Sequence, residues 1–309
     1  WRSSNAILIY AIVLLLAFVS FYFYRTRTLR RLNQEYRERE RINNQIAIQR
    51  EELALKNKNI TDSLNYAKRI QEAMMPSKNL FVKFLPESFI LHMPKDIVSG
   101  DFYWINEHED KIYVAAIDCT GHGVPGAFMS IIGFELFRRI TNIQGVEEPA
   151  QILNIVNNNF AEVFEDVEEF SLRDGMDIAF CVIDKKKRIL EYSGAFNPLY
   201  LIRDNKLSEI KGDRFSVGID MHLMKKQAFR NHSINLEEDD VIYIFSDGFA
   251  DQFGGPEGKK YKYRRFRHLL LTIHKLPMKM QHDLLKKSIL EWKGDLDQVD
   301  DILVIGFKP

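Results

Sequence analysis

Four aspartates in this chain each stand where an apolar run begins or ends. Asp101 follows Ile97-Val98-Ser99-Gly100, and Asp118 closes the run Ile112–Ile117. Asp247 follows Val241–Ser246 and precedes Gly248, while Asp300, with Asp301 beside it, precedes Ile302–Ile305. A single Asp in such a place is ordinarily a cap or turn residue. Several in one domain are a different matter, because crowded carboxylates need a cation to offset their repulsion. Hard oxygen ligands suit Mg²⁺ or Mn²⁺, which keep several waters, rather than Zn²⁺. Two such ions sharing a carboxylate can lower the pKa of a water and clamp a phosphoryl group for in-line attack, with no nucleophilic side chain required.

The Asp118 stretch also carries Gly121, Gly123 and Gly126. Gly121–Gly126 formally matches a dinucleotide-binding GxGxxG. That fold wants the motif directly after the strand and an acidic residue ending a second strand about 20 residues on. Here Asp118, Cys119 and Thr120 intervene, and the region Asn142–Glu148 reads as helix and loop. A cysteine phosphatase built on Cys119 would need Arg where Pro125 stands, and Gly258-Lys259 lacks the remainder of a phosphate-binding P-loop. His122, between two glycines, is open to three readings: a phosphate contact, an acid, or a turn histidine bonding backbone. Asp177, heading the run Ile178–Ile183, reads as structural. Cys119 reads as a small buried residue whose carbonyl matters more than its sulfur.

Short β-type runs must position these groups: Ser88–Met93, Ile112–Ile117, Ile178–Ile183, Arg188–Tyr192, Leu199–Arg203, Val241–Phe245 and Ile302–Phe307. Asp184–Lys187 and Asp204–Lys206 are turn-like and predict antiparallel hairpins. Helical patterns cover Ala127–Ile140, Pro149–Phe164 and Leu284–Trp292. Helices grouped between strands, without strict alternation, predict an α+β domain with a largely antiparallel sheet or sandwich. The length of 309 residues allows one large domain with appendages. With 43 basic and 43 acidic residues the net charge is zero, so bulk electrostatics give no reason to expect nucleic acid. Two cysteines, Cys119 and Cys181, are too few for a disulfide framework and fit a reducing compartment.

The N-terminal quarter is different. Ala6–Tyr24 has no charge, Pro or Gly, and at about 1.5 Å per residue it nearly crosses a ~30 Å hydrocarbon core. It lacks the shorter apolar core and small-residue cleavage site of a signal peptide. Arg25, Arg27, Arg30 and Arg31 follow it and only Arg2 precedes it, so the positive-inside rule predicts a single-pass inner-membrane protein with its remainder in the cytoplasm. Thr28–Met75 contains no Gly or Pro, and Leu32, Ile46, Leu53, Ile60, Ala67 and Met74 recur at heptad spacing, interrupted by Arg39. The companion seam is mostly polar (Glu35, Gln49, Lys56, Ser63). The expectation is an imperfect parallel coiled-coil homodimer, ended by Pro76. The predicted organisation is an extracytoplasmic remnant over 1–5, a transmembrane helix over 6–24, a coiled-coil linker over 25–58, a further helical segment over 59–76 and a globular domain over 77–309. The chain opens on Trp1 in place of Met, so a fragment or a processed form is expected.

Taken together, Ser99-Gly100-Asp101-Phe102, Asp118 with Gly121-His122-Gly123, Ser246-Asp247-Gly248 and Asp300-Asp301-Ile302 resemble the ordered metal motifs of PPM-type (protein phosphatase 2C-like) serine/threonine phosphatases, in the bacterial SpoIIE/RsbU branch. The resemblance spans roughly Ile60–Phe307. Tyr66–Ala73 and Asp251–Gly255 look like membrane-tethered sensor versions of that branch. It implies an α-β-β-α sandwich and two Mn²⁺ or Mg²⁺ ions bridged by Asp118. The backbone carbonyl of Cys119 would be a further ligand, at a position where the family often has Gly. Asp247 and Asp300 would hold the second ion, and Asp101 a more weakly held one, directly or through water. Asp301, Gly121 and Gly123 are secondary candidates. The implied reaction is metal-dependent hydrolysis of a phosphoserine or phosphothreonine protein, typically a small STAS-domain antagonist of an anti-sigma factor. The resemblance also implies that 77–309 is the phosphatase domain, that 59–76 is a switch helix gating it, and that an upstream sensor domain lies before Trp1. Gly254–Lys262 resembles a flap beside the site. The competing expectation is a catalytically silent PPM-like binding or scaffold module in a membrane signalling dimer, which would ordinarily have lost a ligand; none is missing here.

Overall fold

The computed structural model describes residues 2–108, 110–141, 147–163, 175–218 and 228–309. The chain divides into two compact units, Trp1–Ser63 and Leu64–Pro309. The first unit is part of helix α1 (Arg2–Met74). Its N-terminal apolar segment reaches a mean hydropathy of 2.6 over 18 residues, long and apolar enough to cross a membrane. The heptad residues Leu32, Ile46, Leu53 and Ile60 are exposed on α1.

The second unit begins with the last turns of α1. Pro76 follows, and Ser77 caps α2 (Lys78–Phe84) by accepting the Leu80 N–H. Then come β1 (Ser88–Met93), β2 (Phe102–His108), β3 (Lys111–Cys119), α3 (Gly123–Ile140), α4 (Pro149–Val163), β4 (Met176–Asp184), β5 (Ile189–Ala195), β6 (Leu199–Arg203), β7 (Lys206–Ile210), β8 (His232–Asn235) and β9 (Val241–Phe245). They are followed by α5 (Gly248–Asp251), the short ribbon β10 (Phe253–Gly254) and β11 (Lys259–Lys260), α6 (Tyr263–Ile273), α7 (Met278–Lys293) and β12 (Ile302–Phe307). The strands form two five-stranded antiparallel sheets, ordered β1-β12-β9-β6-β7 and β2-β3-β4-β5-β8.

Alternation along each strand builds three core layers. On β3, Ile112, Val114 and Ala116 face the layer between the sheets with Leu303 and Ile305 of β12, while Tyr113, Ala115 and Ile117 pack under α3 and α4. On β9, Ile242 and Ile244 face inward, and Val241, Tyr243 and Phe245 pack under α6 and α7. The order is helices, sheet, sheet, helices. Both faces of the central strands are covered, so they read as continuous apolar runs instead of an alternating pattern. Each buried Val, Leu, Ile or Phe contributes about 1.5–3 kcal/mol.

The α+β sandwich agrees with the sequence reading, as do both hairpins. The Asp204-Asn205 turn has both residues at positive φ, as a two-residue hairpin loop requires. The sequence reading did not foresee β2, β7, β8, α2, α5 or α6. β7 and β8 are edge strands with half their residues exposed, so no apolar run marks them. α6 buries only Phe266, Leu270 and Ile273 beneath a basic face. α7 starts at Met278, earlier than the apolar pattern at Leu284. Phe164, at the end of the helix expected over 149–164, lies outside the described residues, as do 142–146.

Candidate metal centre

The strands deliver their carboxylates to one rim between the sheets. Asp118 continues the inward-facing series Ile112, Val114, Ala116 and opposes Asp177 in the β3–β4 register. Ser246 ties the ends of β9 and β12: its N–H donates to the Leu303 carbonyl, and its hydroxyl accepts the Leu303 N–H. This sets Asp247 beside Asp300 and Asp301. Gly248 belongs there because a Cβ would lie 1.9 Å from the Asp301 carbonyl. On the other side, the carbonyls of Gly121 and Cys119 turn toward the Ser99-Gly100 loop, and a Cβ on Gly100 would meet them at 2.6 and 3.2 Å. Gly121 (φ +86°) and Gly123 (φ +66°) take left-handed conformations that let the chain turn from Asp118 into α3.

The electrostatics are those of crowded like charges. Burial, then the charges of Asp101, Asp247, Asp177 and Asp300, push the Asp118 carboxyl well above the usual carboxylate range. Burial also raises Asp101 strongly; the Ser246 hydroxyl pulls it back, and Asp301 and Asp300 push it further up. Asp247 is pushed up to about 6 by burial, then Asp251 and Asp300. Asp300 rises through burial, moderated by the N–H of Asp301. Burial, then the Asp118 charge, raises the Cys119 thiol, keeping it protonated.

Asp301 differs from its neighbour. It is buried, and its two oxygens accept the N–H groups of Lys95 and Gly100, each at 2.7 Å. Asp301 thus fastens the loop that carries Asp101. His122 is exposed, and its Nδ1 lies 2.7 Å from Asp96 Oδ2, so it bonds a carboxylate instead of backbone.

The sequence reading missed several contributors. Asp177 sits directly opposite Asp118 and holds the Ser216 hydroxyl, a placement its position at a strand head could have signalled. Asp251 pairs with Lys260 beside Asp247. The phenol of Tyr263 is driven up by burial and then by the charges of Asp247 and Asp251, which places it on the same rim. Gln71 is buried on α1, most of whose described residues are exposed. Its Nε2 donates to the Ser99 carbonyl (2.6 Å) and Ser130 Oγ (2.8 Å), and its Oε1 accepts the Ser99 N–H (3.2 Å).

These residues fit hard cations. Asp101 Oδ2 is buried with no hydrogen-bond partner, in a cluster of carboxylates whose pKa values are raised by burial and by one another's charge, and a divalent ion would relieve both conditions. Among the described residues, no three Asp, Glu, His or Cys side chains gather closely enough to hold an ion alone. Hard oxygen donors of this kind suit Mg²⁺ or Mn²⁺, which keep several waters.

The fold and this rim define a PP2C-like phosphatase domain. The model of the stage II sporulation protein E (SpoIIE) family matches residues 108–308, well over half of the chain. The chain belongs to that family, a branch of the PPM-type protein serine/threonine phosphatases. It is similar to the phosphoserine phosphatase RsbU of Bacillus subtilis, with 26% identity over 62% of this chain and 54% of RsbU, so it spans about half the length of that relative. Among solved structures, the SiaA PP2C domain of Pseudomonas aeruginosa superposes with a TM-score of 0.74 at 31% identity, covering 82% of this chain and 98% of that domain. The SpoIIE phosphatase domain of Bacillus subtilis with part of its regulatory domain gives a TM-score of 0.60 at 17% identity, covering 72% and 63%.

Proposed function

We propose that this chain is a membrane-anchored, metal-dependent phosphatase that removes phosphate from a phosphoserine or phosphothreonine protein. The observation that carries the reading is the convergence of Asp101, Asp118, Asp247 and Asp300 on one rim, with a buried, unpartnered Asp101 oxygen. Asp118, central to the cluster, would bridge two Mn²⁺ or Mg²⁺ ions, with the Cys119 carbonyl beside it. Asp247 and Asp300 would hold the second ion, and Asp101 a weaker position. When bound, the ions would lower the pKa of a water and offset the phosphoryl charge. Asp96 accepts the Nδ1–H of His122, and the imidazolium form of that ring would carry the Nε2 proton needed by the leaving seryl oxygen. Gly121 and Gly123 shape the turn, and Asp301 fixes the Asp101 loop.

The substrate that the SpoIIE/RsbU resemblance favours is a STAS-type regulator. The apolar start of α1 supports a single membrane span with the catalytic unit in the cytoplasm. The exposed heptad residues support a parallel homodimer, and residues 59–76 would couple it to the site, a reading supported by the hydrogen bonds of Gln71 to Ser99. The test is release of phosphate from phosphorylated STAS proteins by the full chain in detergent, with Mn²⁺ and then with excess chelator. Turnover should require the metal. Equal turnover after chelation contradicts the proposal, and metal-dependent binding without turnover supports a silent binding module.

A further inference from the structure

An open groove of 1590 Å³ lies beside the carboxylate rim, walled by the β10–β11 ribbon, α6 and the C-terminal half of α7. Six Lys or Arg side chains and one His line it, against two Glu. Three of the cations are neutralised locally: Lys259 by Glu257, Lys260 by Asp251 and Arg267 by Glu209. Lys262, Arg264 and His268 are exposed and have no ion-pair partner among the described residues. Arg264 and His268, four residues apart, share one face of α6. The groove's aromatic wall is held in place. Trp292 Nε1 donates to the Gln252 carbonyl (3.1 Å), the Arg265 guanidinium stacks 4.2 Å from the ring centroid, and Tyr261 meets the ring edge-on.

Two groove residues contact the segment that follows Asp247. Lys260 pairs with Asp251 and is among the charges acting on Asp247, and the Lys262 N–H donates to the Ala250 carbonyl in α5. A polypeptide with its phosphoserine at the rim would therefore lay neighbouring residues along the basic wall. We infer that this groove recognises an acidic segment of the phosphoprotein substrate, flanking the phosphorylated residue; the inference rests on the phosphatase reading. The charge is complementary to Asp and Glu side chains, and a concave channel with a fixed aromatic wall suits a single chain better than a flat anionic bilayer. Recognition through the groove acts on substrate binding, so it sets KM and leaves kcat to the carboxylate rim.

The experiment uses the full chain in detergent with Mn²⁺ and two phosphoserine peptides, one flanked by Asp and Glu and the other by Lys. Binding is read by fluorescence anisotropy and turnover by phosphate release, with p-nitrophenyl phosphate as a substrate too small to reach the groove. The test variant is Arg264→Glu/His268→Glu. Lys279→Glu/Lys286→Glu, a charge reversal at least as large on α7 outside the groove, is the control. Wild type should prefer the acidic peptide. The groove variant should weaken its binding and raise its KM about tenfold, with kcat and p-nitrophenyl phosphate hydrolysis unchanged, and the control should match wild type. Equal affinity for both peptides, or equal loss in variant and control, overturns the inference. So does tighter, Arg264-dependent binding of a soluble short-chain phosphatidylserine, which would assign the surface to lipid. Acidic-peptide binding that needs Arg264 but leads to no turnover would retain the groove and remove the phosphatase reading. Metal-dependent turnover without acidic preference would do the reverse.

Discussion

Replacing Gln71 with Met keeps most of the side-chain volume and removes its hydrogen bonds. The Ser99 N–H and carbonyl, both served by the Gln71 amide, lose that partner in a buried setting. Ser130 is less affected, because its hydroxyl still donates to the Ala127 carbonyl at 2.8 Å. A buried backbone group without a partner costs about 1–3 kcal/mol, so two of them, eased by some water entry, give a loss of about 2–4 kcal/mol. At roughly 2–4 °C per kcal/mol for a domain of this size, the melting temperature should fall by roughly 5–15 °C. Ser99 and Gly100 lead directly to Asp101, and after the substitution the loop is fixed by Asp301 and by the Ser99 contact with His92. The Mn²⁺ concentration for half-maximal activity should therefore rise as well. Thermal unfolding by circular dichroism and a Mn²⁺ titration of phosphate release read the two effects. An unchanged melting temperature with an unchanged Mn²⁺ requirement would show that Gln71 does not fasten this loop.

A methyl group on Gly126 would lie 2.3 Å from the Gly121 carbonyl and 3.0 Å from the Gly100 Cα. Gly126→Ala must therefore shift the Asp118 turn, costing about 1–3 kcal/mol and most of the activity. Gly258→Ala, which meets nothing within 4 Å, should cost only its positive-φ strain, about 1 kcal/mol, and differential scanning calorimetry of both variants tests the contrast. The metal-free protein should lose stability as pH rises. Asp247 is raised to about 6 in the fold, so its protonated form stabilises fully below its unfolded value near 4, and that contribution disappears as pH passes 6. The loss is roughly 3 kcal/mol for a shift of about two pH units. Asp101 and Asp118 shift in the same direction. Urea unfolding in chelator at pH 4.5 and 7.5 should show this decline, and Asp247→Asn or added Mn²⁺ should reduce it. A chelated protein that gains stability across that window, with no response to Asp247→Asn, would contradict the assignment.

The sequence displays most clearly what is buried on both faces. Val241–Phe245 and Ile302–Phe307 are fully buried, so their runs are continuous and their ends mark where Asp247 and Asp300 must stand. Asp118 is legible for the same reason. Edge strands such as Lys206–Ile210 keep an exposed polar face and leave no such mark. Gln71 is invisible because its burial depends on a loop and a helix that follow 28 and 59 residues later. Asp96, the partner of His122, is an exposed residue in a loop with nothing local to distinguish it. The Gly254–Lys262 segment resembles a flap in sequence. Its basic groove is not legible there, because half of that surface comes from α6, whose three buried residues are too sparse to announce a helix.

The proposed function requires Asp118 to be the common ligand of a metal pair that supports phosphoserine hydrolysis. The direct test is phosphate release from a phosphoserine peptide by wild type and Asp118→Asn, side by side, across a Mn²⁺ titration, with folding of both checked by circular dichroism. Asn is nearly isosteric but cannot bridge two cations as a carboxylate does. Wild-type activity should rise with Mn²⁺ to a plateau, while the folded variant should stay at least a hundredfold lower at every concentration. Comparable plateaus for the two proteins would contradict the metal-centre assignment.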